Sequence, residues 1–433
     1  MSSINRAILS ISIPAIVTNI TTPLLGLMDV AIVGHMGSPV FIAAIAVGGN
    51  MFNMLYWLFG FLRMGTSGIT SQRFGAKDDI GATSTLYRAL IIGVAVGLAM
   101  ILLSRPISGL ILSIIDAEGE TRYFALQYFD ILVFGAPAVL AGYALTGWFV
   151  GMQNSKAAMW VSFFIDVTNI VMSLTLVYLF DLGLKGVAIG TLTAQWGGLA
   201  FGLLWVNHKF KIVNVPFQLL VSWREFKRFF SINLDIFLRT VCLVAVTMWF
   251  TRAGAEQGTV MLAVNTLLMQ FFMMFSYFMD GFAFAAEALC GRYIGEKSRQ
   301  QLILTIKMLF KWGVFIAIGF TSLYAVGGDG LMRILSSEVS VVTVAHDYYW
   351  WVVTLPLVGF ATFLWDGVYI GATLTRFMLL SMLMAAIVFF VLYYVLFGTL
   401  GNHGLWIAFL CYLAMRGIVL TVASGRVVGT IRN

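Results

Sequence analysis

Hydroxyl and acidic side chains stand inside the first long apolar stretch of this sequence, where they could exchange a proton or hold a cation. Thr18, Thr22 and Asp29 follow one another at intervals of four and seven residues, which places all three near one face of a helix. A charge inside a membrane costs at least about 2.5 kcal/mol on insertion scales, so each ionisable group there is a functional candidate by default. We therefore predict that Asp29 binds a proton or cation and that Thr18 and Thr22 line a substrate cavity. The alternative is a buried acid held by neighbouring hydroxyls.

Two prolines, Pro14 and Pro23, lie in the same stretch as Asp29. A proline removes one backbone hydrogen bond and can bend a helix. Pro23 precedes Asp29 by six residues, so the sequence predicts a helix that changes shape when the carboxylate is protonated. A helix that is merely kinked is the alternative.

Two other stretches repeat the pattern of charged and polar groups on one helical face. Asp166, Asn169 and Ser173 stand at positions i, i+3 and i+7 of the fifth stretch. Asp166 and Asn169 are candidates for proton or cation coupling, and interhelical hydrogen bonding is the alternative. In the seventh stretch, Asp235 and Arg239 have the i, i+4 spacing of an intrahelical ion pair. We predict that this pair forms, and both residues are also candidates for lining a substrate cavity.

Two further acids lie deep in apolar stretches of the second half. Asp280 precedes Arg292 by about 18 Å of regular helix. Asp366 precedes Arg376 by about 15 Å of regular helix, and the sequence indicates an isolated acid at that depth. Asp366 is therefore predicted as a cation site, with Na⁺ as one candidate. Gln270 and Asp280 are predicted to line the substrate cavity.

An arginine and several methionines of the second stretch are also candidates for that cavity. Arg63 lies as far from Arg73 as Asp366 lies from its own cytoplasmic arginine, so it could neutralise one of the buried acids, and the sequence leaves open which one. Methionine is flexible and polarizable, and Met-rich surfaces adapt to varied ligands. Met54 and Met64 are therefore predicted to line the cavity, with lipid-facing positions as the alternative.

The elements that must position these residues are transmembrane helices. Of 433 residues, 60% are hydrophobic and only 10% are charged, against about 25% charged in soluble globular domains. Twelve apolar runs are each long enough to cross a bilayer. The most polar connection separates runs six and seven, so the predicted domains are an N-lobe of residues 1–206, a cytoplasmic linker of 207–225 and a C-lobe of 226–433.

The composition also excludes several classes of function. Soluble enzymes and nucleic-acid binders are excluded by the hydrophobicity, and HExxH, GxSxG and GxxxxGK[ST] patterns are absent from the sequence. The three cysteines lie in apolar runs without metal-ligand spacing. We therefore expect neither an enzyme, nor a cofactor, nor a structural metal. The net charge of +7 favours anionic lipid headgroups and membrane topology over nucleic acid.

The two halves resemble each other at an offset of about 220 residues. Because each half has an even number of spans, such repeats point the same way through the membrane, which predicts a pseudo-two-fold axis along its normal and a cavity between the halves. This arrangement favours a transporter over a channel, and it is compatible with a monomer. The matching segments are 72–77 with 292–297, 147–151 with 367–371, and 183–186 with 401–404.

Most of the 26 Lys and Arg residues fall on the side of the membrane that twelve spans assign to both termini. This count includes Arg88 and Arg416 among the residues outside the bilayer. Because cytoplasmic loops carry an excess of Lys and Arg, both termini are predicted to be cytoplasmic.

Three runs of residues resemble those of a known family. The run 29–37, Asp-Val-Ala-Ile-Val-Gly-His-Met-Gly, is similar to the span-one signature of multidrug and toxic compound extrusion (MATE) transporters. Runs 61–72 and 280–288 look like its DinF branch. The resemblance implies an all-α integral membrane fold of twelve helices in two six-helix bundles forming a V. It also implies export of organic cations or amphipathic toxicants across a plasma (inner) membrane, driven by H⁺ or Na⁺.

The resemblance carries over to individual residues with one departure. Asp29 matches the span-one acid proposed to bind the coupling proton, and Asp366 resembles the span-ten acid implicated in Na⁺ binding. Where family members often carry a second acid in span five, this chain has Ser173. Either Asp166 substitutes for that acid or Asp29 couples alone.

The sequence therefore favours a secondary antiporter that works by alternating access. Desolvation disfavours an ionised carboxylate, so Asp29 is expected to alternate between protonated and ionised states. A flippase for lipid-linked precursors is the alternative from the same superfamily. It should carry a strongly cationic cavity, whereas Arg63 and Arg239 are the only basic residues assigned to the interior of spans, against six candidate acids.

Overall fold

The computed structural model is helical along nearly all of its described length. It describes residues 3–35, 39–115, 119–210, 212–220, 222–336 and 338–431. Within these ranges, twelve helical segments are long and apolar enough to cross a membrane. The prediction of an all-α protein with twelve spans is therefore confirmed. The chain divides into two compact units, an N-unit of Ile13–Lys227 and a C-unit of Arg228–Asn433 together with Met1–Ser12.

The N-unit is built from the first ten helices, with α1 entering it at Ile13. Helix α3 packs against α7, which also packs against α4, and α8 packs against α9. A single turn of 3₁₀-helix precedes α7, and a π-helical turn extends α8. The helices are α1 Ser3–Gly34, α2 Pro39–Leu58, α3 Phe61–Gly75, α4 Asp79–Leu102, α5 Ser104–Ile115, α6 Gly119–Leu132, α7 Ala136–Gly151, α8 Ser155–Leu174, α9 Gly183–Lys209 and α10 Phe217–Leu220.

The C-unit contains longer, mostly uninterrupted helices. Helix α14 packs against α12, α13 and α16, and α15 packs against α16. The first residues of α1 belong to this unit, where Trp312 Nε1 donates to Asn5 Oδ1 at 3.3 Å. Residues 1–12 thus group with the second half of the chain and the linker groups with the first, while the predicted domain bounds stay a prediction. The helices are α11 Trp223–Glu256, α12 Thr259–Gly295, α13 Arg299–Leu335, α14 Val339–Gly371, α15 Thr375–Leu400, α16 Asn402–Val422 and α17 Gly425–Val428.

The internal repeat is visible in the backbone of both units. Residues with a left-handed backbone conformation recur 220 positions apart at corresponding helix ends: φ is 55° at Lys77 and 56° at Lys297, and 62° at Gln153 and 54° at Thr373. Helices α2 and α12 begin 220 residues apart, as do α4 and α13, and α8 and α15. The predicted offset is therefore confirmed, and it applies to whole helices rather than to short motifs.

Corresponding glycines allow two helices to touch in each unit. A β-carbon at Gly147 would overlap the main-chain carbonyl oxygen of Arg63, and one at Gly367 would overlap that of Ala283. Gly367 follows Gly147 by 220 residues, and Ala283 follows Arg63 by the same number. The contact between α12 and α14 therefore repeats the contact between α3 and α7. Small residues at helix contacts let membrane helices approach closely, so these glycines determine the packing distance in both units.

A buried arginine of the N-unit forms hydrogen bonds with the linker. Arg88 on α4 is 2% exposed, and its Nη2 donates to the carbonyl of Leu219 at 2.8 Å, while its Nε donates to that of Leu220 at 3.4 Å. Glu225 lies 3.8 Å from Arg88 and 3.3 Å from Arg73. Arg88 is thus buried against the linker, and the cytoplasmic side predicted for both stays a prediction.

Candidate functional site

The N-unit buries one acid among uncharged polar groups. Asp29 on α1 is 4% exposed, and the hydroxyl of Thr191 on α9 lies 3.4 Å from its Oδ2. Asn169 on α8 donates from Nδ2 to that same hydroxyl at 2.7 Å. Three helices therefore bring together the group that we call the Asp29 cluster: Asp29, Asn169 and Thr191. The structure places Asp29 and Asn169 side by side, as the prediction that both take part in coupling requires.

Several acceptors of this region have no partner within the described chain. Asp29 Oδ1, Asn169 Oδ1 and the hydroxyl of Ser173 are buried and make no hydrogen bond. An unpaired buried acceptor costs free energy, and it is satisfied by a proton on the carboxylate or by a donor or cation placed between the oxygens. The chemistry of this arrangement is therefore the capture of a proton or a small hard cation.

An aromatic side chain closes the cluster from another helix. Tyr128 on α6 is 3% exposed and lies beside both Asp29 and Thr191. Gly48 on α2 makes room for it, since a β-carbon there would meet the Tyr128 ring. The tyrosine therefore brings a third hydroxyl-bearing or amide side chain close to the carboxylate.

The structure describes the surroundings of two other predicted residues of the N-unit, Asp166 and Thr18. Asp166 is half-buried and interacts with Thr21, and its substitution for the acid that is missing at Ser173 stays a prediction. Thr18 donates to the carbonyl of its own helix at Pro14, at 3.0 Å. The side chain of Thr22 lies outside the described residues.

The two predicted kink positions lie within a continuous helix. Helix α1 runs from Ser3 to Gly34 through both Pro14 and Pro23, of which Pro14 is buried and Pro23 is exposed. The predicted change of shape at Pro23 on protonation of Asp29 stays a prediction.

The C-unit buries a different constellation, which we call the Arg–Asp–Arg triad. Arg239 on α11 and Arg416 on α16 both donate from Nη2 to the same oxygen, Oδ2 of Asp366 on α14, with 2.6 Å for Arg416. The three residues are 7%, 4% and 8% exposed, in the order Arg239, Arg416, Asp366. Asp366 is therefore not the isolated acid that the sequence indicates.

Two guanidinium groups on one carboxylate oppose the binding of a further cation. This arrangement disfavours the Na⁺ site at Asp366, because the carboxylate already faces two guanidinium groups, and that site stays a prediction. The predicted pair of Asp235 with Arg239 is wrong. Asp235 instead accepts from the hydroxyl of Thr375 at 2.8 Å, because the side chain of Arg239 is directed toward α14.

The remaining predicted cavity residues differ in burial. Gln270 is exposed, whereas Asp280 is half-buried and accepts from Ser276 at 3.4 Å. Arg63, Met54 and Met64 are half-buried. Their role in a substrate cavity stays a prediction.

The sequence argument does not identify three residues of these two groups. Thr191 lies in a helix that contains no acid, and Tyr128 lies two residues from Asp130, which pairs with Arg105. Neither hydroxyl stands out among the many hydroxyl-bearing residues of such helices. Arg416 was assigned to the cytoplasmic side, although it lies within the span Asn402–Val428. The depth argument used for Asp366 applies to Arg416 as well, since ten residues also separate it from Arg426, and this was the available signal.

The two units carry their polar groups at different places on the same repeated backbone. Where the N-unit has Asn169, the C-unit has the buried Phe389, 220 residues later. The turn before α16 is two residues shorter than the turn before α9, so the counterpart of Thr191 is Phe409. By the same alignment, the position of Arg416 in the C-unit corresponds to Gly198 in the N-unit. Each unit therefore has its own chemistry.

Comparison with known proteins points to one family. The MatE family matches residues 14–175 and 232–395. The chain is 35% identical over 422 residues to the DNA damage-inducible protein F of Escherichia coli (strain K12), covering 97% of this chain and 92% of that protein. It is 24% identical over 244 residues to the multidrug export protein MepA of Staphylococcus aureus (strain NCTC 8325 / PS 47), covering 56% of this chain and 54% of that protein.

A solved structure shares the whole fold. It is described as the outward-facing conformation of a multidrug resistance MATE family transporter of the MOP superfamily. The TM-score is 0.88 at 20% sequence identity, and the match covers 99% of this chain and 97% of that one.

Proposed function

We propose that this protein, which belongs to the MatE family of multi-pass membrane transporters, exports amphipathic toxicants and organic cations by ion-coupled antiport centred on Asp29. Alternating access carries the substrate outward while H⁺ moves inward, and Na⁺ is the alternative coupling ion. The protein acts as a monomer in the plasma (inner) membrane with both termini in the cytoplasm. The similarity to a multidrug export protein supports this substrate class.

One observation carries the proposal, namely that the Asp29 cluster holds a single charge without a counter-ion. Among the described residues, no Lys or Arg forms an ion pair with Asp29, and its neighbours Asn169 and Thr191 are neutral. The cluster is therefore negative when Asp29 is ionised and neutral when it is protonated. A buried site of this kind exchanges one whole charge for each proton, which is the property that coupling requires.

Proton uptake gives each of the three groups a role. Asp29 holds the proton. Thr191 stabilises the ionised form through its hydroxyl, and Asn169 fixes the position of that hydroxyl by donating to it. Loss of the negative charge on protonation removes the attraction for an organic cation, so the site releases its substrate when it accepts a proton.

Transport in proteoliposomes tests the role of Asp29. The assay follows a fluorescent organic cation such as ethidium under an imposed H⁺ gradient or an imposed Na⁺ gradient. We expect Asp29→Asn to lower H⁺-driven transport at least about tenfold, because the variant cannot bind the coupling proton. Asp181→Asn is the matched control: Asp181 is exposed, has φ of 53°, and asparagine tolerates that backbone conformation.

Each outcome bears on the proposal. Full H⁺-driven transport by Asp29→Asn would overturn the role of Asp29. If only a Na⁺ gradient drove transport and Asp29→Asn abolished it, Asp29 would remain the coupling site and Na⁺ would be the coupling ion. Absence of transport under both gradients in the native protein would favour the lipid flippase.

A further inference from the structure

The Arg–Asp–Arg triad has more hydrogen-bond donors than its own residues use. Both guanidinium groups contact Asp366 through one nitrogen each, and both contacts fall on Oδ2. The Nε of Arg239 and the Nε of Arg416 are buried without a partner, and so is Oδ1 of Asp366. A simple structural ion pair would direct one bidentate arginine at both carboxylate oxygens. This triad instead leaves two buried N–H donors directed at no acceptor.

The charges of the triad do not balance. Two guanidinium groups and one carboxylate give a local charge of +1, because arginine remains charged in proteins. The other acids within the spans of the C-unit do not compensate: Asp235 accepts from Thr375, and no ion pair joins Asp235, Asp280 or Glu287 to Arg239 or Arg416 among the described residues. The ring of Tyr412 lies 5.5 Å from the Arg416 guanidinium, and its side chain also interacts with Arg416 by a hydrogen bond, but an uncharged tyrosine brings no compensating negative charge.

A buried surplus charge is costly unless a ligand neutralises it. Removing an arginine from water costs several kcal/mol, and here one carboxylate serves two arginines. The donors that remain are N–H groups of guanidinium forks, whose geometry matches the two oxygens of a carboxylate. The chemistry that completes the triad is therefore a single anionic oxygen group.

We propose that the Arg–Asp–Arg triad is a binding site for a carboxylate-class anion. The group arrives either as the charged end of an amphipathic substrate or as a small free anion, and it binds to Arg239 and Arg416 through the donors that Asp366 does not use. Asp366 holds the two arginines apart and in place, and it weakens the site by neutralising part of its charge. The site binds by charge and hydrogen bonds alone and undergoes no chemical change.

Equilibrium binding to the purified protein in neutral detergent tests this site, and it needs neither transport nor an ion gradient. Its failure is therefore distinguishable from failure of the proposed function. The probe is radiolabelled 2-naphthoate, with 2-naphthamide as the uncharged analogue of the same shape and acetate as a small competing carboxylate. The variants are Arg416→Gln and Asp366→Asn. Arg252→Gln is the matched control, since Arg252 is exposed and pairs with Glu256 in the same unit.

We expect the two triad variants to change affinity in opposite directions. Arg416→Gln should weaken 2-naphthoate binding about tenfold or more, since it removes one charged donor. Asp366→Asn should tighten binding, because the arginines lose their internal counter-ion, and misfolding would not produce a gain of affinity. Arg252→Gln should bind as the native protein does, and 2-naphthamide should bind much more weakly than 2-naphthoate.

Two results would overturn the site. Equal binding of 2-naphthoate and 2-naphthamide would show that charge plays no part. If Asp366→Asn and Arg416→Gln each lost 2-naphthoate binding while the protein remained monodisperse, the triad would have a structural role and would not be a binding site. Competition by acetate would identify a small free anion as the occupant, and its absence would identify the charged end of an amphipathic substrate.

Discussion

Gly147 on α7 offers a quantitative test of the close contact between α3 and α7. A β-carbon at this position would overlap the carbonyl oxygen of Arg63, which belongs to a helix backbone and cannot rotate away as a side chain does. Gly142 lies in the same helix, and a β-carbon there would meet no atom within 4 Å. Gly147→Ala and Gly142→Ala therefore make the same chemical change with opposite structural consequences.

The expected magnitudes follow from this difference. Alanine in place of an open helical glycine stabilises by about 0.4–1 kcal/mol, and Gly142→Ala should show that gain. Gly147→Ala gains the same amount but forces two helices apart, and overpacking costs about 1–3 kcal/mol. At roughly 2–4 °C per kcal/mol for a unit of this size, its apparent melting temperature should lie about 2–12 °C below that of Gly142→Ala.

Thermal unfolding in detergent, followed by intrinsic tryptophan fluorescence, measures the comparison. The repeat supplies a second pair in the C-unit, where Gly367→Ala meets the Ala283 carbonyl and Gly359→Ala meets only ordinary contacts. We expect the same order in both units. Equal melting temperatures for Gly147→Ala and Gly142→Ala would refute the conclusion that this glycine sets the packing distance.

Two further predictions concern single side chains. Thr191→Val should lower ion-coupled transport several-fold, since it removes the hydroxyl next to Asp29. Thr193→Val is the control and should leave transport unchanged, because Thr193 is exposed and bonds only to its own helix. Equal transport by both variants would contradict a role for Thr191. Arg88→Gln should speed tryptic cleavage of the linker at Lys209, because the carbonyls of Leu219 and Leu220 lose their donor. Arg105→Gln is the control, as the Arg105 side chain is 78% exposed, and an unchanged cleavage rate in Arg88→Gln would show that other contacts hold the linker.

The spans and the repeat could be predicted because both depend on local sequence. Long apolar runs define helices by length alone, and glycines at close helix contacts recur where the backbone geometry recurs. Gly147 and Gly367 therefore identified the repeat register correctly. The side chains that surround each glycine were not needed for this inference.

The partners of buried charges could not be predicted in the same way. Arg239 is one helical turn from Asp235, yet it bonds to Asp366, 127 residues away. Spacing along one helix gives the possibility of a pair, whereas the rotation of that helix against its neighbours decides which pair forms. An acid in an apolar run is conspicuous, so Asp29 could be proposed from the sequence alone, whereas the contact with Thr191 depends on how α9 faces α1.

The long separation within the triad has a consequence for how the protein is made. Arg239 enters the membrane with α11, while its carboxylate partner is synthesised 127 residues later. At about 5–20 residues per second, the arginine remains without its partner for roughly 6–25 s. An unpaired arginine at the centre of a span disfavours insertion by about 2.5–3.5 kcal/mol. In nascent chains that end before α14, α11 should therefore be inserted less stably in the bilayer. The insertion of the second half becomes stable only when its last helices have been synthesised.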